Sequence, residues 1–377
     1  MISVAVSGNP RGNSRFHSSA ETVDIGGAPV TIGLVQTPGP AFDREAPENA
    51  SMVAVRVKAF SCNYRDQFII RQLLQEAPAG IYHPIGSEFV AEVVDVGSGV
   101  TRLRPGDRVI GNNQYPDSGV DGVPPGIATN YASRRYLVLH ETKLVKVPPE
   151  MPTEVAAAFS VGAQTAYSIV RKLELSETEA SNVLVTAAKS NTALFAISAL
   201  RKHRVNVYAT SSSRAFEEEL RDMGVRSLNL IDPDLQRLSG NERSGLLSEV
   251  AGFDYVVDPF SDIHLGKILD VMKPGSKYIT CGLLAQNPSA RGEGPRFLGR
   301  GLREIVVEAI VKNISLIGNC LGQRADLQNA LKDYSSGSFD VVIDSVFTGN
   351  QVGAFVDRTY NDKERFGKVV YRYDDAE

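Results

Sequence analysis

Hydrophobic and polar positions alternate with two different periods along the chain, and the change of period divides it into regions. Between about residues 51 and 147 the pattern is that of short strands separated by turns, as in MVAVRVKAF, FVAEVVDVGSGV and RPGDRVIG. This pattern predicts a small antiparallel barrel or sandwich. Residues 111–130 are rich in Gly, Pro, Asn and Asp and predict a long loop within it.

From about residue 152 the period becomes helical, and strands then alternate with helices. The segment EVAAAFSVGAQTAYSIVRKL has helical spacing, and it precedes the apolar strands NVLVT, VNVYAT, FDYVVDP and KYITCG, each separated from the next by a helical pattern. Such an alternation predicts a parallel, doubly wound sheet. The tail, from FDVVIDSVF to RFGKVVYRY, returns to short alternating strands and is predicted to rejoin the first region.

We therefore expect an α/β protein with two domains. Residues 1–152 would form the N-terminal part of the barrel domain, residues 153–321 the doubly wound domain, and residues 322–377 the segment that completes the barrel domain. A chain of 377 residues is long enough for two cores.

Composition narrows the classes of function. Hydrophobic residues make up 42% and charged residues 22% of the chain, as in soluble globular proteins. A net charge of -4 argues against nucleic acid as a partner. The sequence has no apolar run of about 18 residues, and the N-terminal segment is polar. These features predict a cytoplasmic protein that does not contact a membrane.

The three cysteines, Cys62, Cys281 and Cys320, are widely spaced and form no CxxC pair. They predict intracellular thiols rather than a disulfide framework or a thiolate zinc site. Cys281 ends the strand KYITCG, where a small buried thiol is expected.

The stretch VLVTAAKSNTALFA, residues 183–196, predicts a strand, a tight turn and the start of a helix, as in a dinucleotide-binding unit. Its turn contains no glycine, although such turns usually contain three. Free N–H groups at the helix start would still attract a diphosphate, and small or polar side chains would leave room for it. In the alternative, Ser190 or Asn191 only caps the helix and the phosphate site is lost. The candidate phosphate-binding residues are Ala187, Lys189, Ser190, Asn191 and Thr192.

The second strand of this domain indicates which dinucleotide is bound. An NAD-binding protein would carry Asp or Glu at the end of VNVYAT, whereas this chain continues with Ser211, Ser212, Ser213 and Arg214. Hydroxyl groups and a guanidinium suit a 2'-phosphate, which favours NADPH. A polar turn that only happens to contain Arg214 is the alternative.

The order of these parts resembles the medium-chain dehydrogenase/reductase superfamily over nearly the whole chain. The motifs that carry the resemblance are NYRD (63–66), PIGSEFVAEVVDVGSGV (84–100), RPGDRV (104–109), AQTAYSIV (163–170), LGQRADL (321–327) and GKVVY (367–371). The resemblance implies a GroES-like barrel with catalytic residues and a Rossmann domain that binds a nicotinamide cofactor.

The resemblance also indicates a branch of the superfamily. Where zinc alcohol dehydrogenases carry their catalytic metal ligands, this chain has Asn63, Ser87 and Val161. The structural-zinc lobe of those enzymes would supply four cysteines around residues 110–130, and this chain has none there. Three such side chains do not make a zinc site. The chain is similar to the zinc-independent quinone oxidoreductases and enoyl reductases.

The resemblance implies roles for further residues. Asn63 lies where relatives place a polar group beside the nicotinamide, and Tyr64 lies where they place a residue that faces the substrate. Tyr64 would either donate a hydrogen bond or a proton to an enolate or pack on the barrel wall. Tyr82, just upstream of GSE, is a rival donor. The predicted cofactor contacts outside the two turns are Gln164, Thr165, Cys281 and Lys368.

Some of these assignments have alternatives. Lys368 either touches the cofactor or is a solvated strand lysine. Arg65 and Asp66 either form an ion pair that orients their loop or form a solvated surface pair. We expect His83, His140, His203 and His264 to be surface or loop residues rather than general bases.

The sequence thus favours an NADPH-dependent reductase of activated C=C bonds, in an enone, an enoyl thioester or a quinone, with dehydroamino acids in peptide natural products as a further possibility. The substrate would be a small molecule or peptide with an activated double bond. The alternative is a non-catalytic relative that serves as a binding or scaffold protein. By resemblance, a homodimer is expected through the apolar strand ISLIGNCL, residues 314–321.

Overall fold

The computed structural model describes residues 1–7, 20–39, 41–76, 81–284 and 300–374. The chain divides into two compact units, of which unit 1 comprises Met1–Val161 and Val341–Glu377 and unit 2 comprises Gly162–Asp340. These divisions fall further along the chain than the expected boundaries after residues 152 and 321.

Unit 1 begins with antiparallel strands. Its N-terminal segment contains β1 (Ile2–Ser7), β2 (Glu21–Asp24), β3 (Pro29–Gln36), β4 (Met52–Ser61), α1 (Tyr64–Glu76), β5 (His83–Pro84), β6 (Glu88–Val96), β7 (Arg108–Gly111), β8 (Tyr136–His140), β9 (Leu144–Lys146) and α2 (Thr153–Ala157). One sheet has the order β2-β3-β1-β5 and is antiparallel throughout. The sequence pattern did not indicate this N-terminal sheet.

Unit 2 is a parallel sheet with helices between its strands. Its elements are α3 (Ser160–Leu173), which crosses the division between the units, then β10 (Ser181–Val185), α4 (Asn191–Leu200), β11 (Val205–Ser211), α5 (Glu217–Asp222), β12 (Val225–Leu230), α6 (Gly240–Leu246), β13 (Phe253–Asp258), α7 (Ser261–Ile268), β14 (Met272–Thr280), α8 (Leu302–Lys312), β15 (Ser315–Gly318) and α9 (Arg324–Ser335).

The order of strands in unit 2 is β12-β11-β10-β13-β14-β15, and every neighbouring pair is parallel. This is the doubly wound order of dinucleotide-binding domains, in which ligands bind at the carboxyl ends of the strands. The predicted α/β class is confirmed. The four strands that the sequence pattern indicated are β10, β11, β13 and β14, and they form the centre of this sheet.

Helix α9 explains why unit 2 ends later than predicted. Arg171 of α3 donates from Nε to Asp326 Oδ1 of α9 at 2.9 Å, and Tyr167 of α3 donates to Asp333 Oδ2 at 2.6 Å. Leu327 and Leu331 of α9 are buried. The segment that was expected to rejoin unit 1 therefore begins only after this helix.

The tail completes unit 1 with β16 (Ile343–Thr348), α10 (Val352–Tyr360) and β17 (Lys368–Arg372). Strand β17 pairs parallel with β16 and antiparallel with β4, which gives the second sheet the order β16-β17-β4-β6-β7-β9, with β8 also paired to β4. The sequence pattern indicated only strands here, whereas α10 packs Val352, Phe355 and Val356 into the core of unit 1. A parallel pair needs such a crossover, because a tight turn cannot join two parallel strands.

Candidate functional site

The turn after β10 places an alanine in a backbone conformation that glycine more often adopts. Ala187 has a φ of +47°, in the left-handed region. That conformation costs an alanine about 1–2 kcal/mol, whereas glycine adopts it freely. Helix α4 begins four residues later, and Ser190 caps it by accepting a hydrogen bond from Ala193 N at 3.3 Å. Ser190 is therefore an N-cap, and the choice between a phosphate-binding turn and a turn that has lost its phosphate site stays a prediction.

Backbone hydrogen bonds fix the turn on both sides of Ala187. Thr186 N donates to Val257 O of β13 at 3.0 Å, and Ala188 N donates to Thr210 O of β11 at 2.9 Å. Ser190 N closes the turn by donating to Ala187 O at 2.8 Å. The turn is thus held between two neighbouring strands.

Lys189 connects this turn to the one after β11. Its Nζ donates to Ser213 Oγ at 2.8 Å, although the two residues lie in different loops of the sequence. The side chains of Asn191 and Thr192, at the start of α4, are half-buried. The structure therefore brings together the two sequence motifs that were predicted to bind a dinucleotide.

The turn after β11 presents hydroxyl groups and one guanidinium. Ser211 is buried and Ser212 is exposed. Arg214 Nη1 forms an ion pair with Glu217 Oε2 at 2.8 Å, and Glu217 also pairs with Arg221 at 2.9 Å. The hydrogen bond from Arg214 lowers the pKa of Glu217. No carboxylate ends β11, where an NAD-binding protein holds the ribose hydroxyls.

Taken together, these residues fit a dinucleotide. The turn at residues 186–190 leads into a capped helix of ten residues, whose first N–H groups attract phosphate. The side chain of Lys189 adds a positive charge next to Ser213. Compared with glycine, Ala187 adds one methyl group to the turn.

Gln164 and Thr165 are buried on α3. The Nε2 of Gln164 donates to Gly322 O at 3.2 Å and to Gln323 O at 3.0 Å, within unit 2. These bonds fix the start of α9. The predicted contact of both residues with a cofactor stays a prediction.

A buried polar cluster at the carboxyl end of β13 was missed in the sequence. The Oδ1 of Asp258 accepts hydrogen bonds from Thr186 Oγ1 at 2.6 Å and from the ring of His264 at 2.8 Å, and its Oδ2 accepts one from Tyr278. All four side chains are buried; we call them the Asp258 cluster. The expectation that His264 is a surface or loop residue is wrong, since it lies inside α7 and against a carboxylate.

The charge state of Asp258 follows from these partners. Burial raises the pKa of its carboxyl, but the electrostatic interaction with the His264 ring and the hydrogen bonds from His264, Thr186 and Tyr278 outweigh burial and place the pKa below its ordinary value. A signal for this cluster exists in the sequence: an Asp at the end of a buried apolar strand must find partners, because an unpaired buried charge is costly.

Cys281 follows β14 directly. Burial, with the nearby charge of Asp258 as a smaller cause, raises the pKa of its thiol to about 12. The thiol is therefore protonated at neutral pH, as expected of a small structural cysteine rather than a nucleophile.

In unit 1, the amide of Asn63 is the centre of a hydrogen-bond network. Its Nδ2 donates to Ser87 Oγ at 3.0 Å and to Glu88 Oε1 at 2.9 Å, and its Oδ1 accepts from Lys368 Nζ at 2.8 Å. Ser87 in turn donates to Asp66 Oδ2 at 2.6 Å. Asn63 and Ser87 are thus bonded to each other.

Glu88 and Lys368 form a buried ion pair at the base of this network. Both side chains are almost fully buried, and the carboxylate also accepts hydrogen bonds from Ser61 Oγ at 2.9 Å and from Val161 N at 3.0 Å. The alternative of a solvated Lys368 is therefore wrong: β17 carries it into the core beside β4 and β6. Its predicted contact with a cofactor stays a prediction.

Asp66 and Arg65 form the ion pair that one alternative described, at 3.1 Å. Asp66 is buried, and burial raises the pKa of its carboxyl despite the charge of Arg65 and the hydrogen bond from Ser87. Arg65 also donates to Asn130 Oδ1 at 3.0 Å, which ties α1 to the end of the predicted long loop.

Tyr64 and Tyr82, the two candidate proton donors, lie in different parts of unit 1. Tyr64 begins α1 and exposes 37% of its surface, and its role as proton donor or as a residue packed on the barrel wall stays a prediction. Tyr82 is half-buried and precedes the short strand β5.

The side chains of unit 1 also bear on whether the protein holds a metal. Among the described residues, no group of three or more His, Cys, Asp or Glu side chains is arranged to hold a metal ion. Asn63, Ser87 and Val161 offer an amide, a hydroxyl and a hydrocarbon, and this combination does not fit catalytic zinc.

Comparisons with known proteins agree with this architecture. Residues 49–149 match the family model of the alcohol dehydrogenase GroES-like domain. The chain is 24% identical over 365 residues to the zinc-type alcohol dehydrogenase-like protein YogA of Leptosphaeria maculans, covering 91% of this chain and 94% of that protein. It is 25% identical over 352 residues to the acryloyl-coenzyme A reductase of Metallosphaera sedula, covering 89% and 94%.

A solved structure of an NAD-dependent alcohol dehydrogenase superposes with a TM-score of 0.72 at 21% identity, covering 90% of this chain and 95% of the other. Similarity at that identity shows the fold. The chain is thus similar, over about nine tenths of its length, to oxidoreductases of the medium-chain dehydrogenase/reductase type. No helix among the residues described above is long and apolar enough to span a bilayer.

Proposed function

We propose that this protein is an NADPH-dependent, zinc-independent reductase of activated C=C bonds. The observation that carries the proposal is the pairing of the two turns in unit 2. Lys189 reaches Ser213 at 2.8 Å, and Arg214 follows Ser213. A positively charged, hydroxyl-rich turn without a carboxylate suits a 2'-phosphate better than free ribose hydroxyls.

Zinc independence is supported by the bond between Asn63 and Ser87. A metal at this place would need both side chains as ligands, but Asn63 Nδ2 and Ser87 Oγ donate and accept within their own network, 3.0 Å apart. Zinc in a catalytic site takes three donors such as His, Cys or carboxylate. We expect activity to survive prolonged dialysis against a chelator, with metal content measured on the same sample.

Without a Lewis acid, reduction of a simple ketone is difficult, whereas a conjugated double bond needs an enolate to be stabilised and protonated. The nicotinamide, when bound, supplies the hydride. In this proposal Tyr64 or Tyr82 holds the proton for the developing carbanion, and the Lys368–Glu88–Asn63 network keeps the loop before α1 in place. Phe substitutions at each tyrosine separate the two donors by their effect on kcat.

The proposed substrate class is a small molecule or peptide in which a carbonyl activates the double bond. It includes enones, quinones, enoyl thioesters and dehydroamino acids. The similarity to an acryloyl-coenzyme A reductase supports the thioester member of this group.

The first experiment is a titration of the purified protein with NADPH and with NADH, followed by cofactor fluorescence. Arg214→Ala is the test variant, and Arg226→Ala, an exposed arginine on β12, is the matched control. Tighter binding of NADPH than of NADH, lost with Arg214→Ala alone, supports the proposal. Equal affinity for the two cofactors would contradict the NADPH preference.

If neither cofactor binds, the non-catalytic alternative holds, and a binding or scaffold role should be sought. If cofactor binds, oxidation of NADPH is followed with each substrate class in turn. We further propose that the protein is a homodimer and that it is located in the cytoplasm.

A further inference from the structure

The Asp258 cluster supports the turn at Ala187 in a way that a glycine-bearing turn would not require. Ala187 is held at a φ of +47°, and alanine disfavours that conformation. Such a residue keeps its conformation only when its neighbours over-determine it. The neighbour on the N-terminal side is Thr186, and its hydroxyl donates to Asp258 at 2.6 Å.

We propose that Asp258 is a positioning residue that, through Thr186, holds Ala187 in the left-handed conformation needed to present the turn to the diphosphate of a dinucleotide. The ligand in this inference rests on the proposed function. The conformational part does not, because it concerns bonds within the chain alone.

The carboxylate of Asp258 is held in place by several partners besides Thr186. Asp258 is fully buried and accepts hydrogen bonds from His264 of α7, from Tyr278 of β14 and from its own loop at Phe260 N, the last at 2.9 Å. It therefore links the ends of β10, β13 and β14. With its other partners in place, the carboxylate cannot follow Thr186 if the turn relaxes.

We call the hydrogen bond from Thr186 Oγ1 to Asp258 the clamp. Thr186→Val tests the clamp, because it replaces the hydroxyl by a methyl group of similar shape. We expect the dissociation constant for NADPH to rise by about fivefold, the lower end of the range by which a left-handed alanine is disfavoured, because the backbone hydrogen bonds of Thr186 and Ala188 remain. Thr186→Ser keeps the hydroxyl and should stay close to wild type. Thr186→Ala removes the same hydrogen bond and replaces the valine variant if that chain does not fold.

Thr210→Val is the matched control. Thr210 lies at the end of the neighbouring strand β11 and is as buried as Thr186, but its Oγ1 has no hydrogen-bond partner among the residues that the structure describes. The same chemical change there should leave NADPH affinity unchanged. An equal loss in both variants would mean that any change in this part of the sheet disturbs binding, and it would overturn the inference.

The decisive variant is Ala187→Gly combined with Thr186→Val. Glycine adopts a positive φ without strain, so the turn no longer needs the clamp. We expect the double variant to recover most of the affinity that Thr186→Val loses, which appears as a coupling between the two sites in a double-mutant cycle. Additive losses would contradict a role through Ala187.

Hydrogen exchange in the absence of cofactor separates this inference from the proposed function. The amides of Ala188 and Ser190 close the turn, so a peptide covering residues 186–192 should exchange faster in Thr186→Val and at the wild-type rate in Thr210→Val. Unchanged exchange in Thr186→Val would overturn the clamp. Failure of the wild type to bind either cofactor would contradict the proposed function. The hydrogen-exchange rates of the variants would then decide by themselves whether Thr186 and Asp258 hold the turn.

Discussion

At the scale of single residues, the charged groups buried in unit 1 are held by specific partners. Glu88 sits beneath β17 with Lys368, Asn63 and Ser61 around its carboxylate. A buried ion pair of this kind contributes little compared with an apolar pair, but removing one partner leaves the other charge unpaired. The stability of unit 1 is therefore sensitive to each member of the network.

Lys368→Met should lower the free energy of unfolding by about 3–5 kcal/mol, because it leaves Glu88 as a buried charge without its cation. Urea denaturation followed by circular dichroism measures the loss. Lys363→Met, at an exposed position before β17, is the control and should change stability by less than about 0.5 kcal/mol. Similar small changes in both variants would show that the ion pair is not essential.

The three cysteines should differ in reactivity. Burial raises the pKa of Cys281 to about 12, so about one thiol in ten thousand is a thiolate at pH 8. Cys62 is buried and its pKa is also raised, whereas Cys320 is exposed. Iodoacetamide should alkylate Cys320 first, as measured by peptide mass spectrometry against a Cys320→Ser control. Labelling of Cys281 at a comparable rate would contradict the raised pKa of its thiol.

At the scale of elements, the start of α5 sets the charge near the second dinucleotide turn. Glu217 stands between Arg214 and Arg221 and pairs with both. A 2'-phosphate would therefore compete with Glu217 for Arg214. The proposed preference for NADPH depends on this competition as well as on the presence of the arginine.

Glu217→Gln should tighten NADPH binding by about twofold to fivefold, because it releases Arg214 from its ion pair without changing side-chain size. This factor corresponds to the free energy of an exposed ion pair. NADH binding should stay unchanged. Glu218→Gln, the exposed neighbour on the same helix, is the control. The measurement is fluorescence titration at low salt, and weaker NADPH binding in Glu217→Gln would show that the carboxylate orients the arginine instead.

Alternating and apolar runs in the sequence were enough to predict β4 and the four central strands of unit 2. They were not enough for α10, because its segment VGAFVDRTY is rich in β-branched and aromatic residues that favour strands, and packing against the core decides its structure. The Asp258 cluster was missed for another reason. Thr186 and Asp258 lie 72 residues apart, and only the parallel pairing of β10 with β13 brings them together.

At the scale of the whole molecule, helix α8 of unit 2 exposes several large apolar side chains. The side chains of Leu302, Ile310 and Val311 on α8 are 71%, 69% and 75% exposed. All three lie on α8, which directly precedes β15, and β15 pairs only with β14 among the strands of the described chain. An edge strand next to an exposed apolar helix favours association with a second copy.

Ile310→Glu should convert the proposed homodimer to a monomer or raise its dissociation constant by about a hundredfold, since a charge would be buried in the contact. Sedimentation velocity measures the change. Val94→Glu places the same charge on an exposed apolar position of unit 1 and should leave the dimer intact. A wild-type monomer, or an Ile310→Glu variant with the wild-type mass, would contradict the proposal.

The buried ion pair of unit 1 has a consequence for biosynthesis. Glu88 and Lys368 are 280 positions apart, and all of unit 2 is translated between them. While the ribosome adds those residues, a nascent chain that has collapsed around β4 and β6 holds Glu88 without its cation. Unit 2 has no such dependence and is free to fold first, although domains more often fold in the order of synthesis. Chaperones would therefore meet an unfinished unit 1 attached to a finished unit 2.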